Sequence, residues 1–412
     1  MTTPRDAAFI ILEHIERQPA LRVPLDDAFG AVLAESIVSP INLPAWANSA
    51  MDGYAVRGED VRGATAAAPR ELRVLDYIPA GGTPSRALTP GTCARIFTGA
   101  PIPDGCDTVI RQEDTEAGDG TVRILGDRDL GVNIRQPGED IAAGTTVMTE
   151  GQELGAAALG VLASLAVANP LIYRRPRVAI LASGDEIVDI DQPDQILAGK
   201  KIGSSNSHTL MALVREAGGV PVMLGIAQDT PESVRAHLQP ALECDLLLTS
   251  AGVSVGEHDH LRAVLGTMGV DLKFWRIRMR PGAPVAFGLL GKLPWIGLPG
   301  NPVSTMVTFE LFVRPAIRTL CGQRLPFRQT TSIELTEPVR VVPSLRHFLR
   351  VRLEPGTDRA RLTGAQGSGI LSSMLRADGL MVIPEGHADI VAGQRFETIL
   401  LNTPACQETP PW

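Results

Sequence analysis

Between Arg177 and Gly322 short apolar runs alternate with stretches of helical periodicity. The apolar runs end at Gly, Ser or Asp and predict buried strands at 178–182, 220–226, 246–248, 274–279 and 295–298. Helical spacing or capping residues follow most of them, which indicates repeated βα units and a doubly wound, mostly parallel sheet. Ligands bind at the carboxyl ends of the strands in such a sheet.

Outside this region the pattern changes to short alternating strands separated by Gly and Pro turns. Before it, strands are predicted at 72–78, 93–97, 107–112 and 121–125. After Gly322, strands at 332–335, 347–353, 380–383 and 396–400 predict a small β-barrel or sandwich. Helical spacing predicts three more helices, at 6–17, 25–35 and 153–167.

Composition limits the class of protein. A chain of 412 residues is too long for one ordinary core, so two to four domains are expected. A net charge of −8 without a basic block argues against nucleic-acid binding. Five scattered cysteines without CxxC spacing favour a reducing compartment, so a cytoplasmic protein is expected. The longest apolar stretch, 154–168, is shorter than the about 20 residues that span a bilayer, so no membrane association is expected.

Acidic residues follow three of the predicted strands. They are Asp185, Glu186, Asp229, Glu257 and Asp259. Small residues at 249–256 would let backbone N–H groups approach a phosphate, whereas carboxylates there would repel it unless a divalent cation lay between them. The alternative is a well-capped βα turn without a ligand. His258 and His260 are interpreted as surface residues rather than zinc ligands.

Three arginines alternate along residues 274–280, at the end of the predicted strand. Arg276, Arg278 and Arg280 would share one strand face and could bind a polyanion, although a half-solvated edge strand explains the same pattern. Asn301 is placed to cap the next helix and Pro302 to begin it. The extended segment at 43–56 is either a binding loop or a linker between domains.

Eight short motifs, taken in order, resemble the molybdopterin molybdenumtransferase family, whose relatives include the C-terminal domain of gephyrin. The motifs are Asn48–Val56, Phe97–Ala100, Pro137–Asp140, Ser183–Glu186, Gly252–Glu257, Arg280–Gly282, Leu298–Ser304 and His347–Arg350. Each motif alone is weakly specific. The ordered set covers nearly the whole chain and is highly specific.

The resemblance implies a multidomain α/β and β fold. It comprises a doubly wound, mostly parallel molybdopterin-binding sheet, an elongated first domain, an inserted β domain and a C-terminal β-barrel. The boundaries read from the sequence are 1–46 with 136–174 for the discontinuous first domain, 47–135 for the inserted domain, 175–324 for the α/β domain, 325–403 for the barrel and 404–412 for a tail.

The resemblance also implies a reaction and its residues. Adenylylated molybdopterin and molybdate, with Mg²⁺ or another divalent cation, would give molybdenum cofactor and AMP. A homodimer is expected, with the site between one subunit's α/β domain and the other's inserted domain, and with possible handover to molybdoenzymes or other cofactor-synthesis proteins. The catalytic residues would be Asp52, Thr98, Asp140, Glu186, Asp229 and Asp259, of which Glu186, Asp229 and Asp259 would hold the cation.

Further residues are expected to bind substrate. Arg280, Ser304, Arg350 and Ser368 would bind molybdate or the terminal phosphate. The remaining predicted binding residues are Ser183, Gly184, Asp185, Ser250, Gly252, Ser254, Gly256, Arg276, Pro299 and Asn301.

The chain departs from the family pattern in three places. The usual Lys-Pro-Gly-Lys-Pro is Arg280-Pro-Gly-Ala-Pro284 here, so the second cation is lost at Ala283; Arg276 replaces a lysine, and Ala47 replaces an acid. The Ala283 change leaves open weak molybdate affinity, an altered oxyanion preference or a non-catalytic pterin-binding scaffold, with Arg276 or Arg278 as possible replacements for the cation. A magnesium-dependent phosphohydrolase is the third hypothesis.

Overall fold

The structure is a computed structural model that describes residues 2–251 and 260–401. It contains two compact units. The first comprises Met1–Ala34, Gly151–Gly155 and Leu171–Trp412, and the second comprises Glu35–Glu150 and Ala156–Pro170. The predicted site residues Gly252, Ser254, Gly256 and Asp259 lie outside the described residues.

A six-stranded sheet forms the centre of the first unit. Its strands, in spatial order, are Val220–Ala227, Arg177–Ser183, Leu246–Ser250, Leu293–Leu298, Ala286–Leu290 and Val270–Trp275. The first four are parallel, and the last two add antiparallel pairs at one edge. The mostly parallel sheet predicted from the apolar runs is confirmed.

Helices cover both faces of this sheet. They are Ser205–Glu216, Pro231–Leu238, His260–Thr267 and the consecutive helical segments Pro302–Thr308, Phe309–Val313 and Arg314–Leu320. Along the strand Arg177–Ser183 alternate side chains enter different cores: Val178 packs with Leu210, while Ala179 packs with Val234. The period of two explains why this strand is apolar throughout and confirms the doubly wound arrangement.

A closed five-stranded barrel follows in the chain. Its strands, in order around the barrel, are Arg346–Leu353, Arg359–Leu362, Thr330–Leu335, Arg395–Leu400 and Gly379–Ile383, which pairs with the first. The first unit contains further short helices at Pro4–Leu12, Leu25–Asp27, Pro193–Leu197, Gln239–Glu243 and Leu371–Leu375. It also contains three two-stranded pairs. These are Ala20–Arg22 with Leu171–Tyr173, Ile187–Val188 with Ile202–Gly203, and Val339–Arg340 with Asp389–Ile390.

The second unit is built on another six-stranded sheet. Its order is Thr108–Arg111, Gly53–Val56, Thr92–Ile96, Arg70–Ile78, Thr121–Ile124 and Thr115–Ala117. The remaining elements are the helices Gly58–Val61, Gln112–Asp114 and Ala156–Ser164, and the strand pairs Ile37–Val38 with Thr146–Met148 and Asn48–Ser49 with Ile134–Arg135. The β pattern predicted for this region is confirmed.

Two predicted elements are wrong. The helix at 25–35 is only a 3-10 turn, Leu25–Asp27, because Gly30 has φ +70° and donates its N–H to the Leu154 carbonyl oxygen. The strand at 274–279 ends at Trp275, and Met279–Arg280 pairs with the barrel strand at Arg346. The three arginines therefore do not lie on one continuous strand, although all three are exposed.

In the described ranges, no helix combines the length and the apolar character that a bilayer span requires.

Candidate functional site

The carboxyl ends of three neighbouring parallel strands open into a cavity of about 580 Å³, here named the strand-end cavity. Four predicted site residues line it: Glu186, Ser250, Pro299 and Asn301. Glu186 is the only charged side chain in its described lining, which is otherwise made of small polar residues, Ile, Ala, Gly and Pro. The strand-end rule therefore brings these residues together as predicted.

Gly184 makes room for the Glu186 carboxylate. Gly184 has φ +138°, and a Cβ built there would lie 2.7 Å from Glu186 Oε2. A side chain at position 184 would strain the backbone and displace the carboxylate. The turn after the strand Arg177–Ser183 thus requires glycine.

A second cavity, of about 740 Å³, adjoins the same turn and is here named the acidic cavity. Gly184 and Asp185 line it, together with Asp189 and Asp191. Asp185 Oδ1 accepts a hydrogen bond from the Asp229 backbone N–H at 3.1 Å, so acids that follow two neighbouring strands meet here. Carboxylate oxygens are the ligands that Mg²⁺ prefers.

The described residues do not complete a metal site. Among them, no group of three or more His, Cys, Asp or Glu side chains lies close enough to hold an ion. Asp259, the third predicted ligand beside Glu186 and Asp229, lies outside the described residues. The predicted cation site therefore stays a prediction.

A third cavity, of about 470 Å³, is here named the arginine cavity. Its lining, as far as the described residues form it, includes four basic residues and no acid: Arg280, Arg340, His347 and Arg350. Arg350 is 1% exposed and donates to Ser373 Oγ at 3.2 Å and to the Gly367 carbonyl oxygen at 3.0 Å. Burial lowers the pKa of the Arg350 guanidinium to about 10, so it is charged at neutral pH without a carboxylate partner in the described chain.

His347 adds no charge to the arginine cavity at neutral pH. Burial, and to a smaller extent the positive charge of Arg280, lower the pKa of the His347 imidazole. Its Nε2 lies 3.0 Å from the backbone nitrogen and 3.1 Å from the carbonyl oxygen of Val342. The positive charge of this cavity therefore comes from its arginines.

The segment 280–284 contributes to both the arginine cavity and the strand-end cavity. Arg280 and Pro281 line the first, and Pro284 lines the second. Ala283 lies between them, and its carbonyl oxygen accepts from the backbone N–H groups of Ile277 and Val285. The departure from the family pattern at Ala283 is thus located between the two cavities.

Other predicted binding residues are less accessible or lie elsewhere. Ser183 and Ser304 are almost fully buried, and the Ser368 carbonyl oxygen accepts from the Val303 N–H at 3.1 Å. Arg276 and Arg278 are exposed and line none of these three cavities. The structure therefore does not support them as replacements for the cation lost at Ala283.

In the second unit, Asp52 is held by Thr98. Asp52 Oδ1 accepts from the backbone N–H and the hydroxyl of Thr98, both at 2.8 Å. These two hydrogen bonds lower the pKa of the Asp52 carboxyl, which is therefore ionised at neutral pH. Asp140 lies on an exposed loop, where its backbone N–H donates to the Leu43 carbonyl oxygen.

Asn206 is a site residue that was not predicted from the sequence. It lines the strand-end cavity. Its Nδ2 donates to Ser250 Oγ and to the Gly300 carbonyl oxygen, both at 2.8 Å. These partners are 44 and 94 residues further along the chain, so no local signal could have identified the contact.

Models of known protein families match most of the chain. Residues 2–166 match the model of the MoeA N-terminal region (domain I and II), 179–319 that of a probable molybdopterin binding domain, and 332–401 that of the MoeA C-terminal region (domain IV). The structure superposes on the crystal structure of the molybdopterin biosynthesis moeA protein from Pyrococcus horikoshii OT3 with a TM-score of 0.81 at 29% identity, covering 97% of this chain and 100% of that one.

Curated relatives agree with these matches. The chain is 37% identical to molybdopterin molybdenumtransferase 2 of Mycobacterium tuberculosis, over 94% of this chain and 96% of the relative. It is 35% identical to the molybdopterin molybdenumtransferase of a Nostoc species, over 98% and 94% of the two chains. The chain belongs to the molybdopterin molybdenumtransferase family of enzymes.

Proposed function

We propose that this enzyme inserts molybdate into adenylylated molybdopterin and releases AMP. The observation that carries the proposal is Arg350, a buried guanidinium that faces a cavity and has no carboxylate partner among residues 2–251 and 260–401. Burying a charge is costly unless a counter-charge is present, so the arginine cavity suits an anionic ligand. Its neighbour, the strand-end cavity, carries one acid and suits a different part of the substrate.

The strand-end cavity accommodates the pterin rings. Its volume of about 580 Å³ lies in the range of small-molecule sites. Ile187, Ile202, Pro284 and Pro299 provide apolar surface for a fused-ring system. An anion placed among these side chains would lose hydration without gaining a cation.

The arginine cavity accommodates molybdate. Arg350 and Arg280 place two guanidinium groups in its lining, and a planar guanidinium can donate two parallel hydrogen bonds to an oxyanion. Insertion replaces two molybdate oxygens with the two dithiolene sulfurs. The oxygens leave as two water molecules, with two protons from the dithiol and two from solvent. Cleavage of the adenylate anhydride consumes one water and releases AMP, which makes the exchange favourable.

The remaining parts of the proposal come from the family resemblance. Mg²⁺ would be held by Glu186, Asp229 and Asp259 and would neutralise negative charge on the anhydride. Asp52 and Thr98 offer an ionised carboxylate for proton transfer or charge stabilisation, with Asp140 as a further acid. A homodimer and a cytoplasmic location complete the proposal.

An AMP-release assay tests the activity. Purified protein given adenylylated molybdopterin, Mg²⁺ and molybdate should release AMP in step with molybdenum incorporation, and EDTA should abolish the release. Reactions without molybdate, and reactions with ATP or GTP in place of the pterin adenylate, are the controls. Absence of AMP across a molybdate titration would refute the proposal, and hydrolysis of ordinary nucleotides would favour the phosphohydrolase.

Ala283 supports a second candidate, a pterin-binding scaffold without turnover, because a cation of the family pattern is missing beside both cavities. The variant Ala283→Lys separates the two functions. If the wild type is an active enzyme, added lysine should lower the KM for molybdate by up to about fivefold and change kcat by less than about threefold, since one more cation near the anion contributes about 1 kcal/mol.

The control for the added charge is Ala392→Lys, at an exposed turn of the barrel. Ala392→Lys should leave the KM for molybdate and kcat unchanged. An inactive wild type whose AMP release appears only with Ala283→Lys would instead identify a decayed site and support the scaffold.

A further inference from the structure

Asn206 holds together the two loops that form one side of the strand-end cavity. It is the second residue of the helix Ser205–Glu216, and both protons of its amide nitrogen are used. One is donated to Ser250 Oγ, at the end of the strand Leu246–Ser250. The other is donated to the carbonyl oxygen of Gly300, two residues after the strand Leu293–Leu298.

These contacts determine which way the amide faces. If its oxygen and nitrogen exchanged places, Oδ1 would meet the Gly300 carbonyl oxygen at 2.8 Å, and two acceptors would repel each other. The amide oxygen is therefore directed away from Gly300. Among the described residues, no donor forms a hydrogen bond with Asn206 Oδ1, although the side chain lines the cavity.

Asn206 Oδ1 is an uncharged hydrogen-bond acceptor with a fixed orientation, and such an acceptor discriminates between ligands. It repels phosphate and molybdate oxygens, and it favours a group that carries N–H donors. Ser204, another polar residue of the lining, has its hydroxyl bonded to the Ser207 hydroxyl at 2.6 Å. Apolar side chains such as Ile187 and Ile202 form much of the remaining wall, which suits the faces of a flat heterocycle.

We propose that Asn206 recognises the pterin edge, accepting a hydrogen bond on Oδ1 from the 2-amino group of the aminopyrimidinone. Its two donated hydrogen bonds keep Ser250 and Gly300 in place and hold the acceptor in position. The proposal rests on the proposed function, because it assigns the strand-end cavity to the pterin.

Binding of free pterins tests this role without requiring turnover. The probes are pterin and 4-hydroxypteridine, which lacks the 2-amino group, and the readout is the Kd from fluorescence titration. The wild type should prefer pterin by about tenfold, the value of roughly one neutral hydrogen bond together with its orientation. Asn206→Ala should bind pterin about tenfold more weakly and lose the preference.

Two further variants separate recognition from folding. Asn206→Ser is a milder change that should also lose the preference, and Thr209→Ala, on the same helix, should keep it. Molybdate affinity should stay within about twofold of the wild type in all variants, because the arginine cavity is separate. A folded Asn206→Ala or Asn206→Ser variant that retains the wild-type preference would overturn the proposal.

This outcome is distinguishable from failure of the proposed function. A wild type that binds pterin with an Asn206-dependent preference but releases no AMP would refute the transferase activity and leave the recognition role intact. If the wild type releases AMP, and Asn206→Ala has the same pterin preference and the same KM as the wild type, the transferase activity is supported and the recognition role of Asn206 is refuted.

Discussion

Arg350→Gln is expected to reduce kcat/KM for molybdate by about 10²–10³-fold, as for loss of one buried donor that faces a reacting anion. Glutamine removes the charge that the arginine cavity presents to the oxyanion, but it can still donate to Ser373 or Gly367. The kcat/KM of Arg350→Lys should lie between those of the wild type and Arg350→Gln, since lysine keeps the positive charge but lacks the planar guanidinium. Steady-state kinetics with molybdate varied against saturating pterin adenylate measures the effect.

Arg352→Gln is the matched control, because Arg352 lies on the same strand and is exposed. It should leave kcat/KM unchanged, and melting temperatures should show that both variants fold. Equal activity of Arg350→Gln and the wild type would mean that the oxyanion binds elsewhere.

The pH dependence provides a second readout of the same group. Because burial lowers the pKa of Arg350 to about 10, the guanidinium stays protonated up to about pH 9 and loses its charge as the pH rises through 10. Molybdate affinity measured by calorimetry should therefore be constant from pH 7 to 9 and fall above that. His347 should not contribute at these pH values, because its lowered pKa keeps it neutral.

Asp52→Asn is expected to lower kcat by about 10²–10⁴-fold with little change in KM, the usual effect of losing an acid–base group. Asparagine keeps an acceptor for the Thr98 N–H and hydroxyl, so the loop should hold while the negative charge is lost. Single-turnover AMP release at saturating substrate measures the chemical step directly.

Asp76→Asn supplies a close structural control in the same unit. Asp76 also accepts from a backbone N–H and a hydroxyl, those of Ser85 at 2.7 and 2.9 Å, and its pKa is likewise lowered, chiefly by the Ser85 backbone N–H. Asp76→Asn should lose at least as much stability as Asp52→Asn, because the second carboxylate oxygen of Asp76 also accepts from the Tyr77 backbone N–H at 2.9 Å. Only Asp52→Asn should lose activity. Equal losses of activity would assign Asp52 a structural role.

Elements with local causes could be predicted from the sequence. Thr230 caps the helix Pro231–Leu238 by accepting from the Ser233 N–H at 3.2 Å, as its position before Pro231 indicates. The apolar runs at 178–182 and 246–248 are central strands. The parallel arrangement then made it predictable that Glu186 and Ser250 would meet at one rim.

Elements that depend on distant partners could not. The segment at 25–35 has helical spacing, but backbone pairing with residues 152–154 prevents the helix. The strand at 274–279 is divided because Met279 pairs with Arg346 of the barrel, far along the chain. The strand Ala286–Leu290 was not predicted from the sequence, because it forms through antiparallel pairing with the strands Val270–Trp275 and Leu293–Leu298 on either side. The domain boundaries, the cation ligands and the dimer stay predictions.

The sequence by itself determined the doubly wound sheet, the β units and the family, because apolar periodicity and short motifs are properties of neighbouring residues. Only the tertiary structure decided how the basic and acidic groups are divided. It placed Arg280 and Arg350 in one cavity whose described lining contains no acid, Glu186 in another cavity, and Arg276 in neither. It also brought Asn206 to Ser250 and Gly300. The physical reason is that contacts between residues many positions apart depend on packing and strand order, which no local pattern encodes.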